Sequence, residues 1–159
     1  MTIGHESHAN ENLASQWRVW SRLSFAAAVA ATVGFSIHVL YGQGWAEQYV
    51  QTAARAGRLD HIVREPTRIV TAIALGMAFL PAAGKVIAYL LLRDNLPGRS
   101  RWVKGLIYGV LLTAMTDALI RVPVMSLVVG NPPDVMLIQS LEGWMIGPAT
   151  GIAIAVLVP

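Results

Sequence analysis

Four long apolar runs constrain this chain more than any other feature. They cover residues 23–41, 69–92, 103–129 and 135–158. A hydrocarbon layer about 30 Å thick is crossed by about 20 mostly apolar residues in a helix rising 1.5 Å each. Each run meets that length. Alternation with a period of two is absent and Ala, Leu and Met are abundant, so the runs are expected as helices rather than strands. Only 13% of the 159 residues are charged and 55% are hydrophobic, against about 25% charged in an ordinary soluble domain. That balance excludes a disordered tail and a densely basic nucleic-acid-binding face. The expected fold is an all-α integral membrane domain, a four-helix transmembrane bundle spanning residues 1–159.

Flanking charges set the expected orientation. Arg18, Arg22, Arg93, Arg99, Arg101 and Lys104 fall on one side of the runs, and Arg55, Arg58, Arg64 and Arg68 on the other. The short loop before the third run is basic, while residues 130–134 hold no Lys or Arg. By the positive-inside rule both termini are expected in the cytoplasm, in a bacterial inner membrane. Trp17, Trp20 and Trp102 then lie near the inner edge, and Tyr41 and Trp45 near the outer edge. The first run follows Arg18 and Arg22 as the apolar part of a signal peptide would. The polar leader 1–22, with Glu6 and Glu11, favours a retained span instead.

Residues 42–68 are too many for a simple link. Trp45, Tyr49, Ala53, Ala56, Leu59 and Val63 recur every three or four positions, with Glu47, Gln51, Arg55 and Arg58 between them. This spacing predicts an amphipathic helix lying on the outer surface between the first two spans. Small residues recur four apart at Ala30/Gly34, Gly105/Gly109 and Gly147/Gly151. Such pairs let helix backbones approach within a bundle or between copies. Pro81, Pro123 and Pro148 each remove a backbone donor and are expected to kink their helices.

The charges inside the runs carry the functional question. Lys85, Asp117, Arg121 and Glu142 all lie within apolar segments. Unpaired at mid-bilayer, the four together would cost roughly 10 kcal/mol or more. Asp117 and Arg121 are one helical turn apart and share a face. Arg121 lies about 12 Å, and Glu142 about 11 Å, from the outer ends of their spans. A carboxylate–guanidinium–carboxylate triad is the expected arrangement, since the Arg fork serves two acceptors. His38, about 5 Å below the outer end of its span, either faces this cluster or keeps its tip wet at the interface. Lys85 either snorkels toward the cytoplasm or partners Asp117.

Chemistry is bounded by what is missing. There are no cysteines, so disulfides and thiolate chemistry are out. His5, His8, His38 and His61 show no H-x-x-x-H spacing, and neither HExxH nor GxSxG occurs. No metal or cofactor is expected; haem lacks a second axial ligand beside His38. The candidate binding or pathway residues are Asp117, Arg121, Glu142, His38 and Lys85. The expected role is a structural or accessory subunit whose buried ionic cluster fixes helix packing. A proton- or small-solute-conducting transporter using the same cluster is the alternative. An intramembrane enzyme on a lipid-like substrate comes third, with no catalytic residue assigned. Expected partners are the lipid bilayer and a second copy or a larger membrane complex, not nucleic acid.

Overall fold

The computed structural model describes residues 4–59, 68–116 and 118–158. Among them all regular structure is helical. Helix α1 covers Gly4–Ile37, runs into a π-helical segment, His38–Ala46, and continues as α2, Glu47–Arg55. Helix α3 covers Arg68–Leu92, α4 Arg101–Met115, α5 Arg121–Val128 and α6 Pro133–Leu157. Two helical stretches, Gln16–Arg55 and Pro133–Leu157, are long and apolar enough to cross a membrane, judged by length and composition.

Helix α6 lies between α1 and α4 and runs antiparallel to both. Gly34, His38 and Tyr41 of the first helix meet Thr150, Glu142 and Ile138 in turn. Gly105 and Gly109 of α4 meet Gly151 and Gly147 of α6. The two small-residue pairs are therefore each other's seat. A Cβ on Gly109 would stand 2.5 Å from Pro148 Cα, and one on Gly151 would stand 2.6 Å from Gly109 Cα. Neither neighbour is a side chain that could swing away. Small residues at these positions let the two backbones approach closely. Helix α3 packs against α1, where Ala26, Ala27 and Ala30 join Ala82, Val86 and Tyr89 in the core. The Tyr108 hydroxyl donates to the Lys85 carbonyl (2.5 Å), and Lys104 Nζ donates to the Arg93 carbonyl at the end of α3 (2.7 Å). That last bond satisfies one of the carbonyls a helix C-terminus leaves open.

Two expectations are corrected. The first concerns the helix placed on the surface between spans. It is not a separate element, because the chain does not turn at Gly42–Gly44. Those residues form the wide π turns, and α2 continues the long helix. Its amphipathic character is real: Val50, Ala53 and Leu59 are buried together with Val135 of α6. The helix ends at Gly57, whose φ of 71° suits a residue without Cβ. Its N–H donates to the Ala54 carbonyl and that of Arg58 to the Ala53 carbonyl, the paired bonds of a Schellman cap. Val63 and the end of the expected surface helix lie outside the described residues.

The second correction concerns residues 103–129, expected as one kinked span. They form two helices, with α4 ending at Met115 and α5 beginning at Arg121. Pro123 explains the restart. In an unbroken helix its ring would clash with the carbonyl four residues back; in the first turn of α5 no donor is needed from it. Thr116 Oγ1 donates to the Leu112 and Thr113 carbonyls at the end of α4 (3.0 and 3.2 Å). Trp144 Nε1 of α6 donates to the Ala118 carbonyl in the break (3.0 Å). The backbone groups freed by the break are thus partly re-satisfied by side chains.

Candidate functional site

The π segment brings His38 and Gln43 together with Glu142 of α6. His38 Nδ1 lies 2.6 Å from Glu142 Oε1 across the α1–α6 interface. His38 Nε2 lies 3.3 Å from Gln43 Nε2. A π turn bonds residue i to i+5, which stacks Gln43 one wide turn above His38. An amide nitrogen can only donate, and donation by Gln43 to Nε2 corresponds to the tautomer whose Nδ1 proton faces Glu142. Amide, imidazole and carboxylate thus form one hydrogen-bonded chain.

Glycine makes the approach possible. A Cβ on Gly42 would stand 2.7 Å from Glu142 Cδ and 3.0 Å from Oε1, inside the space the carboxylate occupies. Tyr41, on the same turn, donates its hydroxyl to the Ile138 carbonyl (2.9 Å), one turn before Glu142. The side chains of His38 and Glu142 are 43% and 25% exposed, so the pair lies partly open to the surroundings. Tyr41, Trp45 and Tyr49 follow it as an aromatic ladder, with centroids 5.5 and 6.1 Å apart.

A second polar tie closes the same end of the molecule. Arg58 Nη2 donates to both carboxylate oxygens of Asp134 (2.8 Å each), and the Tyr49 hydroxyl donates to Oδ2 (2.5 Å). Hydrogen bonding to Asp134 raises the Arg58 pKa above its ordinary value, with a smaller contribution from Tyr49. Asp134 sits in the first turn of α6, where a carboxylate is favoured by the helix dipole.

Of the five residues singled out in the sequence, the structure joins two, His38 and Glu142. Of the triad expected around Arg121, the Glu142 carboxylate is seen bonded to the imidazole from α1. The shared face of Asp117 and Arg121 assumed one continuous helix through both, whereas α4 ends at Met115 and α5 begins at Arg121. Arg121 opens α5 and lines a cleft of about 370 Å³ with Leu119, Ile120, Val124 and Met125. Asp117 lies outside the described residues. Lys85, two turns before the end of α3, lines a separate cleft of about 320 Å³ between α1, α3 and α6, whose wall includes His38. Sequence reasoning missed Gly42 and Gln43, which looked like turn residues. Their spacing of four and five from His38 was the available signal.

No family model matches the chain, and neither a curated protein nor a solved structure shows significant similarity to it.

Proposed function

We propose that the chain is a small multi-pass membrane protein, a four-helix transmembrane bundle with a structural or accessory role, held in one arrangement by polar ties between its helices. The reading rests on where polar side chains of the apolar helices go. His38 reaches Glu142, Tyr41 the Ile138 carbonyl, Tyr108 the Lys85 carbonyl and Trp144 the Ala118 carbonyl. Every one of these bonds joins two helices or a helix to a break. In lipid such bonds act as glue, because the alternative is a polar group left in hydrocarbon. The outer surface agrees with that setting: Leu40 of the π segment, Leu80 and Leu91 of α3 and Met115 of α4 are 74–78% exposed. Apolar exposure on this scale is unusual for a monomer in water.

The test compares stability with transport. Glu142→Gln and His38→Gln in the purified chain should each lower detergent-state stability by about 1.5–3 kcal/mol, the worth of a hydrogen bond to a charged group. Vesicles holding the parent chain should pass protons no faster than empty ones. The hydrogen-bonded chain Gln43–His38–Glu142 supports a second reading, a proton path, since ionisable residues at membrane depth mark such paths. Flux in the parent chain that both variants abolish without loss of stability would favour that reading and reject the first.

A further inference from the structure

The cleft between α1, α3 and α6 has no task in the structural reading. It holds about 320 Å³, within the range of about 300–1,000 Å³ typical of small-molecule sites. Along α1 it runs from Ala30 to His38, eight residues or about 12 Å of helix. Its walls are mostly apolar, with Phe35, Ala78 and Ile146 among them. It opens to the surroundings at Pro81, which is exposed.

Three polar side chains face this space, and they differ in what they have left to give. His38 has both ring nitrogens engaged, by Glu142 and Gln43, and acts as a wall. Lys85 has its carbonyl bonded to Tyr108, while its ammonium pairs with no carboxylate among the described residues. Thr150 is 2% exposed and its hydroxyl has no hydrogen-bond partner. A buried polar atom without a partner calls for an explanation. This hydroxyl looks across at the gap left by Gly34: a Cβ there would stand 3.6 Å from Thr150 Oγ1.

From this geometry we infer that the cleft binds one long-chain carboxylate, a fatty-acid anion, with its head on the Lys85 ammonium and the Thr150 hydroxyl. One cation and one donor in an otherwise apolar slot match one anionic head on one chain. The slot runs about 12 Å along α1, shorter than an extended palmitoyl chain, so the end of the tail leaves through the opening at Pro81. The inference rests on the membrane reading above, but not on the role given to the His38–Glu142 tie.

Equilibrium binding of labelled palmitate to the full chain in detergent tests it, with methyl palmitate as a neutral competitor. Saturable binding of one palmitate per chain is expected, with methyl palmitate competing at least about tenfold more weakly, the worth of one charge-assisted bond. Lys85→Met should weaken palmitate by about tenfold or more while Lys85→Arg retains it. Gly34→Ala places its methyl at ordinary contact distance, 3.5 Å from Ile146 Cγ2, so it folds and narrows the slot, and palmitate should weaken several-fold. Absence of saturable binding by the parent chain would overturn the proposal. So would equal competition by the ester, or Lys85→Met binding as the parent does, either of which would mean an uncharged apolar ligand. Retention of the chain in membranes after an alkaline wash reports the membrane reading separately, so failure of one is not failure of the other.

Discussion

The contact between His38 and Glu142 depends on a residue that touches neither by a side chain. Gly42 leaves the volume in which the Glu142 carboxylate sits. With Gly42→Ala the carboxylate can still swing aside, because it is the end of a flexible chain, but it then leaves the imidazole. The substitution should therefore cost about 1–3 kcal/mol in the parent, by loss of a charge-assisted bond. It should cost a small fraction of that once His38 is already Gln, since the bond is then gone. Chemical unfolding of the four chains in detergent checks this. Full and equal cost in both backgrounds would show that Gly42 matters for the π turn alone.

Among the elements, the α4–α6 seam and the exposed face of α3 give opposite expectations for the same substitution. Gly109→Ala or Gly151→Ala drives a methyl into backbone, and overpacking of this kind costs about 1–3 kcal/mol or more. Gly84, inside α3, has nothing within 4 Å of its Cβ position. Gly84→Ala should be neutral or stabilising by up to about 1 kcal/mol through helix propensity. Thermal unfolding of the three variants separates them; a destabilised Gly84→Ala would point to an uncharted neighbour on that face. The seam was legible from Gly105/Gly109 and Gly147/Gly151, because small-residue spacing maps onto a helix face without tertiary knowledge. The continuity of α1 through α2 was not. Gly42, Gln43 and Gly44 have poor local preference for helix, and what holds them helical is distant, Tyr41 on Ile138 and His38 on Glu142. The break before α5 was half legible: Pro123 marked a disturbance, yet a kink and a restart look alike until the Trp144 bond to Ala118 is seen.

At the scale of the whole molecule, the antiparallel order of helices puts Arg58 and Asp134 at one end and Arg93 and Lys104 at the other. The chain has no cysteine, so single cysteines report topology directly. Asn131→Cys and Arg55→Cys should react with an impermeant thiol reagent from one face of sealed vesicles, and Asn95→Cys only from the other. Reaction of all three from one face would reject a bundle that crosses the bilayer. The site illustrates why charge placement within apolar runs was informative but incomplete. Glu142 was visible as a costly group that needed a partner, and His38 as a side chain that could either face the cluster or stay wet at the interface. Which partner each takes depends on the helix break and the π turn, both of which arise from packing.

The most direct measurement is a double-mutant cycle on His38 and Glu142, with unfolding free energies for the parent, each Gln variant and the pair. A tie between α1 and α6 predicts a coupling energy of about 1 kcal/mol or more, in the range found for residues in contact. Additive costs, with coupling near zero, would contradict it.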